Sequence, residues 1–237
     1  MTSEHVCLER RDSVLIVHLD DGKANALSPS MIAAIGEALT VAEEDDDIGA
    51  VVLHGREGKF CAGFDLSVMR GGDLAAMSAL VSDGGDLVRR LYGSSVPIVA
   101  ACTGHALAAG ALLLLGCDVR VGADVPCKIG LNEVAIGMVL PEWALAIAIE
   151  RLSRRHLQLA VVTARVTDAP DAVDVGFLDE VASSDDVLDV AVARANELAA
   201  LSGRAYAGTV NALRGDLLAR MAVQIASDRR LGNVPTV

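Results

Sequence analysis

The stretch VPIVAACTGHALAAGALLLL, residues 96–115, decides the fold of this chain. Its first half is a short apolar run that opens on Pro97, which is typical of a buried strand. Gly104 permits a sharp turn, and a cluster of alanines with Gly110 then leads into an apolar helix. The first N–H groups of a helix have no partner within the helix and lie at its positive end. They can therefore bind an oxygen that gains negative charge during a reaction.

Glu133 follows this stretch and is a carboxylate within an otherwise apolar segment, residues 129–137. Burial raises the pKa of a carboxyl group, because the charged form loses its hydration. Two interpretations are open: a general base with a pKa near neutrality, or a buried acid paired with Lys128 or with a backbone N–H. The apolar side chains expected around this carboxylate are Leu112, Leu131, Val134 and Ile136.

Composition limits the classes of protein and partner. In 237 residues, 52% are hydrophobic and only 3% aromatic, so the core consists mainly of Ala, Val, Leu and Ile. The net charge of −12 argues against nonspecific nucleic-acid binding, which needs Lys and Arg to neutralise phosphates. The five cysteines are an odd number without metal-ligand spacing, so we expect reduced thiols and no metal site. No signal peptide or membrane-spanning run is evident, and we expect a cytoplasmic protein without a membrane partner.

Before Pro141, strands alternate with helices, which predicts a largely parallel sheet covered by helices. The first two strands are predicted to form a hairpin. Ser28 is the predicted N-cap of the first long helix. A further helix is predicted over residues 73–91, and its consecutive glycines Gly84 and Gly85 predict a break.

From Pro141 onward helices predominate. They are predicted over residues 141–152, 153–163, 169–175, 185–201 and 206–227, with one strand-like segment at 177–181. Ser153 and Asp185 are the predicted N-caps of two of these helices. The last two helices each carry an apolar stripe, which covers either the core of this chain or a surface of a neighbouring subunit.

Five motifs occur in an order and spacing that identify a family. They are NALS at 25–28, FCAGFDL at 60–66, the segment 97–110, CDVR at 117–120 and the segment 129–137. Together they resemble the crotonase (enoyl-CoA hydratase/isomerase) superfamily over most of the chain. The resemblance implies an α/β fold with a crotonase-type ββα spiral core over residues 1–182. It also implies a helical C-terminal region over residues 183–237 that mediates assembly into a homotrimer or a dimer of trimers.

The same resemblance implies a substrate and roles for individual residues. The substrate is an acyl-CoA thioester that reacts through an enolate, with no cofactor beyond the coenzyme A of the substrate. The N–H groups of Phe64 and Ala109 form the oxyanion hole, and Glu133 is the catalytic acid/base. Only main-chain groups are needed as donors, so side chains as different as Phe and Ala can serve. The remaining expected substrate-binding residues are Ala24, Ala62, Leu66, Gly110, Leu112 and Glu142.

The predicted reaction depends on Leu112. Hydratases of the family have one carboxylate at the position of Leu112 and a second at the position of Glu133. A single carboxylate does not readily both activate a water molecule and transfer the proton. The segment 129–137 resembles that of mitochondrial Δ3,Δ2-enoyl-CoA isomerases, in which one base moves a proton from C2 to C4. We therefore predict such an isomerase, in β-oxidation of fatty acids or in catabolism of another CoA ester. Two alternatives stay open: a hydratase that uses Glu133 with Glu142, and an acyl-CoA-binding protein with little turnover.

Three neighbouring residues are expected to have structural roles. Asp65 is predicted to cap a short helix. Trp143 is expected in the core rather than in a substrate wall. His105 is not expected to take part in catalysis.

Overall fold

Two sheets form the framework of the fold in the computed structural model, which describes residues 5–231. The strands are β1 (Val6–Arg11), β2 (Val14–Leu19), β3 (Ala50–His54), β4 (Gly58–Cys61), β5 (Ile98–Cys102), β6 (Gly104–Leu107), β7 (Val119–Ala123), β8 (Ile129–Gly130) and β9 (Glu180–Ala182). The larger sheet has the order β1-β2-β3-β5-β7-β9, and the smaller has the order β4-β6-β8. Strands β1 and β2 form the predicted antiparallel hairpin, and the other neighbouring pairs are parallel.

Helices follow the strands as the sequence pattern predicts. They are α1 (Pro29–Glu44), α2 (Leu66–Met69), α3 (Leu74–Tyr92), α4 (Ala109–Gly116), α5 (Glu142–Arg151), α6 (Leu157–Val161), α7 (Ala169–Val175), α8 (Val187–Ala199) and α9 (Gly203–Leu231). Ser28 is confirmed as the N-cap of α1, because its Oγ accepts a hydrogen bond from the N–H of Met31 at 3.1 Å. None of the helices within the described residues is long and apolar enough to cross a bilayer.

The chain builds the two sheets together, in pairs of strands. In the pairs β3 and β4, β5 and β6, and β7 and β8, the first strand joins the larger sheet and the second joins the smaller sheet. A helical segment follows each pair. The predicted α/β class and its repeated ββα units are therefore confirmed. Gly104 is the first residue of β6 rather than the sharp turn predicted, and the chain changes sheets at Thr103.

The two C-terminal helices both pack on this chain. In α8 the buried residues are Val187, Ala191, Val192 and Ala195, which cover the larger sheet beside Val14, Ile16, Val52 and Val99. Helix α9 packs on α3 and α5 through Leu217, Met221 and Ile225. Leu213 of the same helix takes no part in this packing, since it is 73% exposed.

A buried polar cluster connects α9 to the larger sheet. One carboxylate oxygen of Asp118 accepts hydrogen bonds from the N–H of Ile98 at 2.8 Å and the hydroxyl of Tyr206 at 2.9 Å. The other oxygen pairs with Arg214 at 2.7 Å, and this guanidinium lies 4.4 Å from the centre of the Tyr92 ring. The carboxylate is thus paired and hydrogen-bonded, as a buried charge must be.

Helix α3 is continuous, so the predicted break at Gly84 and Gly85 is wrong. Both glycines serve packing instead of flexibility. A Cβ atom at Gly84 would overlap the ring of Phe64, and one at Gly85 would lie 2.8 Å from Cε2 of Trp143. Aromatic side chains therefore fill the space beside α3, and this burial outweighs the low helix propensity of glycine, roughly 1 kcal/mol per residue.

Two predicted N-caps are also wrong. Helix α6 begins at Leu157, and Ser153 instead donates its N–H to the carbonyl of Val175 at 2.9 Å. Helix α8 begins at Val187, with Asp186 rather than Asp185 at its N-cap position. The strand predicted at 177–181 lies instead at β9, Glu180–Ala182. At Ser153 the N–H bonds to the distant Val175, whereas the hydrogen bonds at the start of α8 are local, between Ser183 and Asp186.

The close contact between β6 and β4 is predicted to be essential for stability. A Cβ atom at Gly104 would overlap the carbonyl group of Gly58, and backbone atoms cannot move aside as a flexible side chain can. Gly104→Ala should lower the free energy of unfolding by about 1–3 kcal/mol in chemical denaturation. The matched control is Gly208→Ala in α9, where nothing lies within 4 Å, and it should be neutral or stabilising by up to about 1 kcal/mol. Equal stability of the two variants would contradict the argument.

Candidate active site

A cavity of about 220 Å³ lies between the small sheet and the helices α2, α3, α4 and α5. Its walls are largely apolar. Leu112 comes from α4, Val81 from α3, Trp143 from α5, and Met69 from α2. Of the residues expected to bind substrate, the cavity is lined by Ala62, Phe64, Leu66, Leu112 and Glu133.

Glu133 is the carboxylate of this cavity, and 6% of the residue is exposed. Its Oε2 atom is buried and has no hydrogen-bond partner among the described residues. Burial raises the pKa of this carboxyl group from 4.5 to about 7, and only the N–H of the same residue opposes the shift. The pairing with Lys128 that sequence analysis left open does not occur. A carboxylate with a pKa near neutrality and a free oxygen can accept and return a proton.

The apolar surroundings of Glu133 differ from those expected. Leu112 and Leu131 are buried, but Val134 is 47% exposed and Ile136 is 56% exposed. Both lie in a short 3-10 turn, Val134–Ile136, on the surface beside the cavity. The raised pKa therefore reflects the burial of Glu133 in the folded chain. Its neighbours in sequence do not surround it completely with apolar side chains.

The N–H groups of Phe64 and Ala109 make no hydrogen bond within the described residues. One neighbouring N–H group of each donor is occupied. The N–H of Asp65 binds the carbonyl of Leu27 at 3.1 Å, and that of Ala108 binds the carbonyl of Gly130 at 3.0 Å. Two unpaired donors beside a cavity are free to bind a ligand oxygen.

Close backbone packing brings these two donors together. A Cβ atom at Gly63 would lie 3.1 Å from the carbonyl oxygen of Leu107 and 3.8 Å from the nitrogen of Ala109. Gly63 has a φ of +98°, and Ala108 has a φ of +50°, which is rare for a residue other than glycine. The turn before α4 therefore holds a strained conformation at the site itself, a feature typical of functional sites.

Three other expected substrate-binding residues do not line the cavity. The carbonyl of Ala24 accepts the N–H of Ala62 at 3.1 Å, so these groups bind each other. Gly110 packs against β4, where a Cβ atom would overlap the carbonyl of Cys61. Glu142 is exposed in the first turn of α5 and accepts a hydrogen bond from Gln224 at 3.3 Å. It lines a separate surface groove, so one chain does not bring it to Glu133.

Asp65, His105 and Trp143 were expected to have structural roles, and the structure corrects the expectation for Trp143. Asp65 is confirmed as the cap of α2, since its Oδ1 accepts from the N–H of Ser67 at 2.8 Å. His105 accepts a hydrogen bond from the N–H of Lys128 at 2.9 Å, on its Nδ1. Trp143 is 1% exposed and belongs to the core, but it is also a wall of the cavity. Within residues 5–231, no group of three His, Cys, Asp or Glu side chains is arranged to hold a metal ion.

Sequence analysis missed a polar loop that supports this site. Asn25 is 1% exposed with a φ of +52°, and its amide donates to the carbonyl oxygens of Leu19 at 2.8 Å and Phe60 at 3.2 Å. The carboxylate of Asp21 accepts the N–H groups of Lys23, Asn25 and Ala26. The loop thus connects the end of β2 to β4. Asx residues in tight loops carry this signal in the sequence.

Comparison with known proteins assigns the family. The chain matches the family model for enoyl-CoA hydratase/isomerase over residues 9–235. A probable enoyl-CoA hydratase of Mycobacterium tuberculosis is 30% identical over 98% of this chain and 89% of the relative. A solved enoyl-CoA isomerase of M. tuberculosis has a TM-score of 0.91 at 38% identity, covering 97% of this chain and 99% of that one. The human mitochondrial Δ3-Δ2-enoyl-CoA isomerase also has a TM-score of 0.91, at 27% identity, covering 96% and 90%.

The fold, the cavity and these matches define an enzyme of the crotonase fold that acts on acyl-CoA thioesters. The chain belongs to the enoyl-CoA hydratase/isomerase family, as its motifs led us to expect. Its relatives include both hydratases and isomerases. The reaction must therefore be argued from the residues of the site.

The raised pKa of Glu133 predicts a pH-dependent cost for folding. Below about pH 4.5 the carboxyl group is protonated in both the folded and the unfolded chain, so no cost arises. Above about pH 7 the folded chain holds a buried charge, which costs about 3 kcal/mol. Glu133→Gln should therefore be more stable than the wild type by about that amount at pH 8, and similar to it at pH 4.5.

Chemical denaturation at the two pH values measures this difference. The control Glu142→Gln changes an exposed carboxylate, and its stability should stay within about 0.5 kcal/mol of the wild type at both. A Glu133→Gln variant without extra stability at pH 8 would show that the carboxylate is not buried as described.

Proposed function

We propose that this protein is a Δ3,Δ2-enoyl-CoA isomerase in which Glu133 is the single acid/base. The observation that carries the proposal is one carboxylate in an apolar cavity, with a pKa of about 7 and an unpartnered oxygen, beside two unpaired N–H groups. We also propose that the reaction needs no cofactor beyond the coenzyme A of the substrate. Each feature has a place in the reaction.

The thioester carbonyl oxygen would accept hydrogen bonds from the N–H groups of Phe64 and Ala109. Glu133, as the carboxylate, removes a proton from C2 of a 3-enoyl thioester, and the electrons shift to the carbonyl oxygen as the enolate forms. The protonated Glu133 then returns a proton at C4, and the double bond comes to lie between C2 and C3. Fixed donors lower the energy of the enolate because they need no reorganisation. A base with a pKa near 7 suits both transfers at neutral pH.

The position of Leu112 supports isomerisation over hydration. Leu112 is 2% exposed and lines the cavity at the place where the resemblance puts the second carboxylate of hydratases. Glu142, the other candidate, binds Gln224 outside the cavity. Adding water to a double bond requires both activation of water and protonation of carbon, which two groups perform more readily than one. Within the described residues, only Glu133 offers a carboxylate to this cavity.

The solved isomerase of M. tuberculosis and the human mitochondrial isomerase share the fold over nearly the whole chain, so this scaffold is compatible with isomerisation. The probable hydratase from the same mycobacterium makes hydration the natural competitor. An acyl-CoA carrier with little turnover is the third outcome that an experiment must separate.

The deciding experiment follows the products of trans-3-hexenoyl-CoA and, separately, crotonyl-CoA in deuterated water by NMR and mass spectrometry. We expect the 3-enoyl thioester to become the 2-enoyl thioester without gaining water, and crotonyl-CoA to stay unhydrated. Glu133→Gln should lower kcat/KM about 10²–10⁴-fold, the usual contribution of a general acid/base. Wild-type kcat/KM should rise with pH through about 7, as Glu133 loses its proton.

Glu142→Gln is the matched control and should retain isomerase activity. Formation of 3-hydroxybutyryl-CoA that depends on both glutamates would establish the hydratase instead. Tight binding of both thioesters without turnover would establish the carrier. Isomerase activity that survives Glu133→Gln within tenfold would refute the role proposed for this residue.

We further propose a cytoplasmic homotrimer or dimer of trimers. Support comes from apolar side chains that one chain leaves exposed, including Val134, Ile136 and Val139 beside the cavity and Ile149 on α5, each 46–59% exposed. Apolar patches of this kind are typical of subunit interfaces. Light scattering of the purified protein should give three or six times the chain mass of 24.5 kDa, and a monomer would contradict the proposal.

A further inference from the structure

The reaction proposed above does not use the second charged residue of the cavity. Arg70 directly follows α2, lines the cavity and is exposed, which places it at the open side. Of the cavity-lining residues within the described chain, it is the one cation. A positive charge at the rim of an apolar cavity attracts a partner of negative charge.

That partner is not found among residues 5–231, where Arg70 makes no ion pair or side-chain hydrogen bond. The acids nearest in sequence bind elsewhere. Asp65 accepts the N–H of Ser67, and Asp73 accepts the N–H groups of Ala75 and Ala76 as the cap of α3. Arg90 pairs with Glu43, and Arg194 pairs with Glu180, both at 2.7 Å. Arg155 is exposed and, like Arg70, unpaired among the described residues, but it does not line the cavity.

The geometry of α2 relates Arg70 to the reacting end of a bound thioester. The helix is a single turn, and its first residue, Leu66, lies close in sequence to the donor N–H of Phe64. Its far end carries Met69 and then Arg70. Met69 forms an apolar wall with Val81 and Trp143. Phe64 and Arg70 line the same cavity, so an acyl group whose carbonyl oxygen meets the donors can reach Arg70 with its far end.

We propose that Arg70 binds a second carboxylate at the far end of the acyl group, so that the preferred substrates are CoA thioesters of dicarboxylic acids. A guanidinium binds a carboxylate through two parallel hydrogen bonds, which gives both affinity and orientation. The inference rests on the proposed thioester site but is independent of which reaction follows.

Binding of two saturated thioesters tests the proposal without any turnover. Hexanoyl-CoA and adipoyl-CoA have the same number of carbons and differ in the terminal carboxylate. Calorimetry should show that the wild type binds adipoyl-CoA more tightly. Arg70→Gln should weaken adipoyl-CoA about tenfold or more, as expected for loss of a charged hydrogen bond, and change hexanoyl-CoA less than about twofold.

Arg155→Gln is the matched control, because it removes one charge from an exposed arginine that does not line the cavity. It should leave both affinities within about twofold of the wild type, and thermal unfolding should show that both variants are folded. Equal weakening of the two thioesters by Arg70→Gln would assign Arg70 to the CoA phosphates and overturn the proposal. Unchanged binding of adipoyl-CoA would overturn it as well.

The results also distinguish a failure of this inference from a failure of the proposed function. If both thioesters bind but Glu133→Gln retains full activity, the reaction assignment fails and the role of Arg70 is unaffected. If neither thioester binds to the wild type, the thioester site fails and this inference fails with it.

Discussion

The site depends on backbone segments that approach too closely for any side chain to lie between them. A Cβ atom at Gly110 would overlap the carbonyl of Cys61, and one at Gly104 would overlap that of Gly58. These contacts bring the end of β4 against the start of α4. As a result, the N–H groups of Phe64 and Ala109 lie beside the cavity and make no hydrogen bond among residues 5–231. Donors built from main chain on two rigid elements keep their positions when a ligand's charge develops, which is the requirement for stabilising an enolate.

Such a site lowers the stability of the folded state. Holding Glu133 as a buried carboxylate costs about 3 kcal/mol above neutral pH, and the φ of +50° at Ala108 adds strain of order 1 kcal/mol. Against a typical net stability of about 5–15 kcal/mol, these costs are substantial. The fold offsets them with apolar burial: α8 covers one face of the larger sheet, and helices α3, α4 and α5 enclose the other side. Burial of Glu133 in this fold raises its pKa, so the carboxylate is basic enough to take a proton.

Sequence analysis succeeded where a feature is local. The hairpin of β1 and β2, the Ser28 cap and the alternation of strands with helices all depend on residues a few positions apart, so their patterns are visible in one dimension. It failed where distant segments compete. Gly84 and Gly85 predicted a break in α3, but the rings of Phe64 and Trp143 occupy the space above them and the helix continues. Before α6, Ser153 likewise bonds to the distant Val175.

The sequence by itself determined the family, the α/β class, and the chemistry available near the site: one embedded carboxylate at Glu133 and leucine at position 112. These follow from residue identity and spacing alone. Only the tertiary structure decided that Glu142 lies outside the cavity, that Val134 and Ile136 are exposed, and that Arg70 and Trp143 are part of the cavity wall. The direction in which a side chain projects depends on how its helix packs on others, and no local pattern carries that information.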